Sequence, residues 1–77
     1  MTTSDWTPVR TPEALGRTIR RARQEKGMTQ AELGERAAAT RQSIVGLEAG
    51  RETRALQLLF DALAVLGLEV AVRPRQR

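Results

Sequence analysis

Two helix-start signals stand so close together in the middle of this chain that each helix they open can only be short. In Met28-Thr29-Gln30-Ala31-Glu32-Leu33 the Thr and Glu have capping-box spacing. The hydroxyl accepts from the third helical N–H, the carboxylate reaches back to the cap, and Met28 and Leu33 form the two halves of a hydrophobic staple. Thr40 is the next possible cap, so one helix spans Gln30 to about Ala37 and another about Arg41–Ala49, closed by Gly50. Helices of that length do not persist alone in water. They must be braced by what precedes and follows them.

Thr11-Pro12-Glu13 opens a bracing helix: a cap, a Pro whose missing N–H costs nothing at the first position, and an acid at the positive end. Leu15, Ile19 and Ala22 repeat on one face of it, and it ends near Lys26-Gly27. Gly34 sits mid-helix, where it costs about 1 kcal/mol against Ala; close approach of the following helix would compensate, and a tolerated surface glycine is the alternative. After a polar bridge, Arg51 to Arg54, a fourth helix starts near Ala55 and presents Leu56, Leu59, Phe60, Leu63 and Leu66 as a core stripe up to Gly67. The period then changes. Leu68, Val70 and Val72 alternate with Glu69, Ala71 and Arg73 until Pro74, which reads as a short strand. With no second strand expected in the chain, its edge is unpaired, and that argues for pairing with its own copy across a two-fold axis. Leu63, Leu66, Leu68, Val70 and Val72 would then form one dimerisation interface, with Glu69 and Arg73 turned outward and facing their mates.

The expected organisation is a flexible arm over 1–10, tied down locally by Trp6 or Val9 if at all, then a helical domain over 11–67, a dimerisation strand over 68–73 and a basic tail over 74–77. The fold class is an all-α four-helix domain with a short C-terminal β-strand pairing across a homodimer.

Composition excludes most chemistry. The 77 residues contain no Cys and no His, which removes zinc fingers, thiol nucleophiles and imidazole bases. The carboxylates are spread over helix faces, and a domain this small has little room for a pocket that would change their pKa values. No catalytic residue, metal ligand or cofactor is expected. No apolar run is long enough for a membrane span and the N-terminus has no signal-peptide pattern, so a cytoplasmic protein is the expectation. The 13 Lys/Arg outnumber the 9 Asp/Glu, and all of the bases but Lys26 are Arg, whose planar fork suits phosphates and guanine edges.

Two short capped helices joined by a tight turn have helix-turn-helix proportions. At the front of the second, Arg41 can donate twice to guanine and Gln42 can pair with adenine, while Thr40 and Ser43 can bond to a phosphate or a base edge. Arg51 and Arg54, just beyond that helix, are candidate phosphate contacts. So is Gln30, beside the free N–H groups at the start of the first. An ordinary solvated helix start would look much the same from spacing alone.

The run Thr29-Gln30-Ala31-Glu32-Leu33-Gly34-Glu35-Arg36-Ala37, then Thr40-Arg41-Gln42-Ser43-Ile44 and Leu47-Glu48-Ala49-Gly50, resembles the Cro/C1-type (XRE) helix-turn-helix family over roughly residues 13–66. The resemblance implies sequence-specific binding of operator DNA by a homodimeric repressor. It also implies an ion pair between Arg23, oddly placed on the inward side of the first helix, and Glu48. The chain departs from the family pattern at Gly34, at Ala38-Ala39, where the turn lacks its usual Gly, and at Gly46, where a longer side chain often reaches DNA. The apolar ending Leu63 to Val72 is similar to that of HipB-type antitoxins, which would make a HipA-like serine/threonine kinase toxin a further partner. The alternatives are a stand-alone repressor of the same family and a protein-interaction module on the same fold.

Overall fold

A computed structural model describes residues 6–51 and 53–75. In chain order the elements are β1 (Thr7–Val9), α1 (Pro12–Glu25), α2 (Gln30–Arg36), α3 (Arg41–Glu48), α4 (Arg54–Val65) and β2 (Val70–Val72). Four helices and a two-stranded antiparallel sheet make up the fold.

Each helix starts and stops by the same device. Thr11, Thr29, Thr40 and Thr53 are the N-caps, each with its hydroxyl accepting from the N–H three residues on; only Thr29 adds the reciprocal Glu32 carboxylate, completing the box. Thr53 moves the start of α4 one residue ahead of the expected Ala55, so the polar bridge already holds a cap. At the C-termini a left-handed residue turns the chain back, and the next N–H donates to the carbonyl five residues earlier: Met28 to Arg23, Ala39 to Gly34, Arg51 to Gly46 and Leu68 to Leu63. Gly27, Gly50 and Gly67 fill three of these left-handed positions, but the fourth is Ala38, with φ of 55°.

Packing follows the small residues. α3 lies against both α2 and α1. At Gly16 the α1 backbone meets the end of α3 so closely that an added Cβ would stand 2.5 Å from the Glu48 carbonyl oxygen and 2.6 Å from that of Leu47. At Gly34 the chain between α2 and α3 approaches in the same way, with Ala39 and Thr40 backbone atoms at 3.1 Å from the position of a Cβ. The inward face of α1 is therefore Pro12, Gly16, Ile19 and Arg23; Ala22, expected on that face, is exposed. A glycine at the crossing draws the helix round so that the shortest side chain, not the most apolar one, faces α3.

The C-terminal strand exists, but its partner is in the same chain. Thr7 pairs with Val72, Pro8 with Ala71 and Val9 with Val70. This corrects the expectation that β2 has no strand to pair with, and places residues 7–9 of the supposed arm in a sheet. Pro8 lacks an N–H, which an edge strand tolerates. Val9 is completely buried, and that burial anchors the strand. Glu69 pairs with Arg10 at 2.9 Å, and the Arg73 guanidinium lies 4.4 Å from the Trp6 ring centroid; both were expected to face a second copy. The core stripe of α4 is also narrower than its sequence suggests. Phe60 is buried and Leu56 and Leu63 half-buried, while Leu59 and Leu66 are exposed, because α1 and a two-stranded sheet cover only one side of the helix.

Candidate nucleic-acid interface

The α2–α3 unit displays a row of polar side chains. Thr40, Arg41, Gln42 and Ser43 are all exposed at the front of α3. The Thr40 hydroxyl accepts from the Ser43 N–H at 3.0 Å and shares a 2.9 Å hydrogen bond with the Ser43 hydroxyl. These two residues shape the helix start, and the long side chains of Arg41 and Gln42 project from it.

Behind this row the three helices are locked by one carboxylate. Glu48 is buried, and Arg23 grips it in a fork: Nε donates to Oε2 at 2.6 Å and Nη2 to Oε1 at 3.0 Å. The remaining Nη1 donates to the Met28 carbonyl at 2.8 Å, which ties in the α1–α2 turn. Gln30, on α2, donates to Oε1 at 3.2 Å. The hydrogen bond from Arg23 holds the Glu48 carboxyl below its ordinary range against the opposing effect of burial, with Gln30 helping. The same bond pushes the Arg23 guanidinium further up. Glu32 is held low too, chiefly by the Thr29 backbone N–H it caps.

An open groove of about 710 Å³ runs between α3 and the start of α4, lined by Thr40, Gln42, Ser43, Gly46, Arg51 and Thr53 with an apolar floor that includes Leu47 and Leu56. The structure thus brings Arg51 alongside the front of α3. Arg54 is exposed in the first turn of α4 and does not line this groove. Gln30 is half-buried and bonded to Glu48. Of the five residues assigned to a dimer, Leu63, Val70 and Val72 are half-buried in their own chain, whereas Leu66 and Leu68 are exposed. Sequence reasoning passed over Gly16 and Thr53. Gly16 stands three residues before Ile19 and seven before Arg23 on one helical face, a position where a glycine signals close backbone approach.

No group of three or more His, Cys, Asp or Glu side chains is placed to hold a metal among the described residues. No helix among them is long and apolar enough to cross a membrane. No solved structure matches the chain significantly. An uncharacterized HTH-type transcriptional regulator of Methanothermobacter thermautotrophicus is 47% identical over 51 residues, covering 66% of this chain and 74% of that protein. The helix-turn-helix domain family, whose members are not catalytic, matches residues 14–76. The Thr-capped pair α2–α3, with its short turn and exposed α3 front, lies within that match, and the chain belongs to the helix-turn-helix domain family.

Proposed function

We propose that the protein is a sequence-specific DNA-binding transcriptional repressor that acts as a homodimer. The observation that carries this reading is the exposed row Thr40–Ser43 on a helix held from behind by the Arg23–Glu48 fork. A major groove admits such a helix, Arg41 suits guanine and Gln42 suits adenine. Arg54 supplies a phosphate contact, and Gln30 fixes the start of α2 beside the backbone. The relative's printed name, an HTH-type transcriptional regulator, supports the same reading.

The exposed surface supports a second copy. Leu58, Ala62 and Val65 recur on the face of α4 opposite Phe60, with Leu66 and Leu68 beside them, all exposed. The dimer would centre on Leu66 and Leu68 with this face, while Leu63, Val70 and Val72 support it from beneath.

The antitoxin reading rests on the ending Leu63 to Val72 and the Thr11-Pro12 that opens α1, and the strand within that ending, expected to pair across a dimer, has a partner in Thr7–Val9. A stand-alone repressor is therefore the reading adopted, and a kinase toxin a further partner to be tested by co-purification with the product of the adjacent gene. The main test is selection of a preferred duplex from random sequence. A palindrome with half-sites about one helical turn, 34–36 Å, apart is expected, and Arg41→Ala should relax preference at one base pair of each half-site. Equal affinity for selected and random DNA would leave a protein-interaction module as the function.

A further inference from the structure

Gly46 is buried although it lies on the outward side of α3, one turn beyond Gln42 and away from the buried Ile44 and Glu48. Something covers it, and that is the side chain of Arg51. A Cβ added at Gly46 would meet Arg51 Cδ at 3.5 Å and Nη1 at 3.8 Å. The backbone imposes this arrangement. Gly50, at φ of 74°, turns the chain back; its N–H donates to the Leu47 carbonyl at 3.2 Å and the Arg51 N–H to the Gly46 carbonyl at 3.0 Å. In this turn the residue after the glycine packs on the residue five earlier. Here these are Arg51 and a residue with no side chain, so the Arg51 stem lies flat across the middle of the α3 face. Arg51 lines the same groove as Gln42 and Ser43, and among the described residues no hydrogen bond or ion pair holds its guanidinium.

We propose that Arg51 reads a base rather than clamping a phosphate. The missing side chain at Gly46 leaves a gap in the row that continues from Gln42, and Arg51 fills it from the turn. A guanidinium presented there suits the O6 and N7 of guanine, the commonest partner of an arginine in the major groove. This inference rests on the DNA-binding function proposed above and extends its reading surface by one residue.

The test uses the full chain and the duplex selected by the wild-type protein. Arg51→Ala should weaken that duplex about tenfold to a hundredfold per half-site and flatten preference at one G·C position, with random DNA nearly unaffected. Arg51→Lys keeps the charge but not the fork, so it should not restore the preference. Gly46→Leu should push the Arg51 stem aside and flatten the same position, and adding Arg51→Ala to it should cost nothing further. Thermal melts check that each variant is folded; should Gly46→Leu not fold, the exposed-site variants Arg51→Ala and Arg51→Lys decide alone. Equal weakening of selected and random DNA by Arg51→Ala, with preference intact and the salt slope lowered by about one, would overturn the inference and make Arg51 a phosphate contact. A wild-type chain without any preferred duplex would instead overturn the DNA-reading function itself, and that outcome is visible before any substitution is made.

Discussion

The two ends of this small molecule are finished to different degrees. Around α1, α2 and α3, backbone meets backbone at Gly16 and Gly34, and one buried carboxylate joins three segments. Around α4 and the sheet, Val9 and Phe60 are buried, but Leu58, Val65, Leu66 and Leu68 stand 57–87% exposed. Apolar side chains scattered singly on a surface need no explanation, whereas a contiguous set on one helix face does. The first region is complete by itself and suits a rigid reading head. The second leaves apolar side chains uncovered, and the second copy proposed above would cover them with a self-complementary patch.

The contrast breaks most visibly at α4. Leu58→Glu with Val65→Glu should leave the chain folded, since both side chains are exposed and such changes usually stay within about 0.5 kcal/mol each. The dimer should dissociate in sedimentation at micromolar concentration, and operator affinity should fall by about 10²- to 10⁴-fold as the second half-site's contribution is lost. A variant that remains dimeric would mean that the exposed face of α4 is not the unfinished one. Glu48→Ala strikes the other region. It strands the Arg23 guanidinium beneath the reading helix and should cost on the order of 3 kcal/mol in denaturant unfolding. Glu48 titrates below its ordinary value in the fold, so its contribution is fully present above the unfolded pKa near 4.3 and is lost as pH falls through the lower, folded value. Glu32 is shifted the same way. The wild type should therefore lose stability below about pH 4–5, and Glu48→Gln should remove most of that acid dependence. An unchanged acid limb would show that the fork contributes no net stability.

The finished region was also the legible one. Thr29, Glu32, Thr40 and Gly50 announce α2 and α3 because caps and left-handed stops are local chemistry, set by residues within one turn of each other. The row Thr40–Ser43 follows directly from that placement. In the unfinished region α4 and β2 were legible, but what each packs against was not, because those contacts join distant parts of the chain. Thr7-Pro8-Val9 carries too short a pattern, interrupted by a proline, to read as a strand, and only the burial of Val9 reveals its value. The stripe on α4 shows that apolar side chains are present, yet not how much of the helix a single chain can cover. Gly46 could be recognised in the sequence as a missing side chain, but the arginine lying over it depends on the fold of the following turn.

Gly16→Ala sharpens the comparison at smaller magnitude. The added methyl would fall under 3 Å from backbone atoms of Leu47 and Glu48, which cannot swing aside as a side chain would. Overpacking of this kind costs about 1–3 kcal/mol, seen as a lower midpoint in urea. In the α4 region, Gly67→Ala meets no neighbouring atom and carries only the strain of its φ of 71°, so it should cost less. Equal losses would mean that the two ends are packed alike.

The smallest effect has the opposite sign. Ala38 occupies the left-handed position that Gly27, Gly50 and Gly67 hold at the other three helix ends. A Cβ in that conformation costs about 1–2 kcal/mol, part of which a glycine returns by enlarging the entropy of the unfolded chain, about 0.5–1 kcal/mol. Ala38 is exposed, so removing its methyl forfeits little packing. Ala38→Gly should then stabilise the chain by about 0.5–1 kcal/mol, a rise of roughly 3–6 °C in Tm. The backbone bonds that close the turn, from Ala38 to Glu35 at 3.2 Å and from Ala39 to Gly34 at 2.7 Å, are kept, so the aim of α3 and the affinity for the selected duplex should not change. A gain in Tm with affinity lost would show that the strained turn sets the angle at which α3 is presented. No gain at all would show that the entropy glycine adds to the unfolded chain cancels the strain relieved at Ala38.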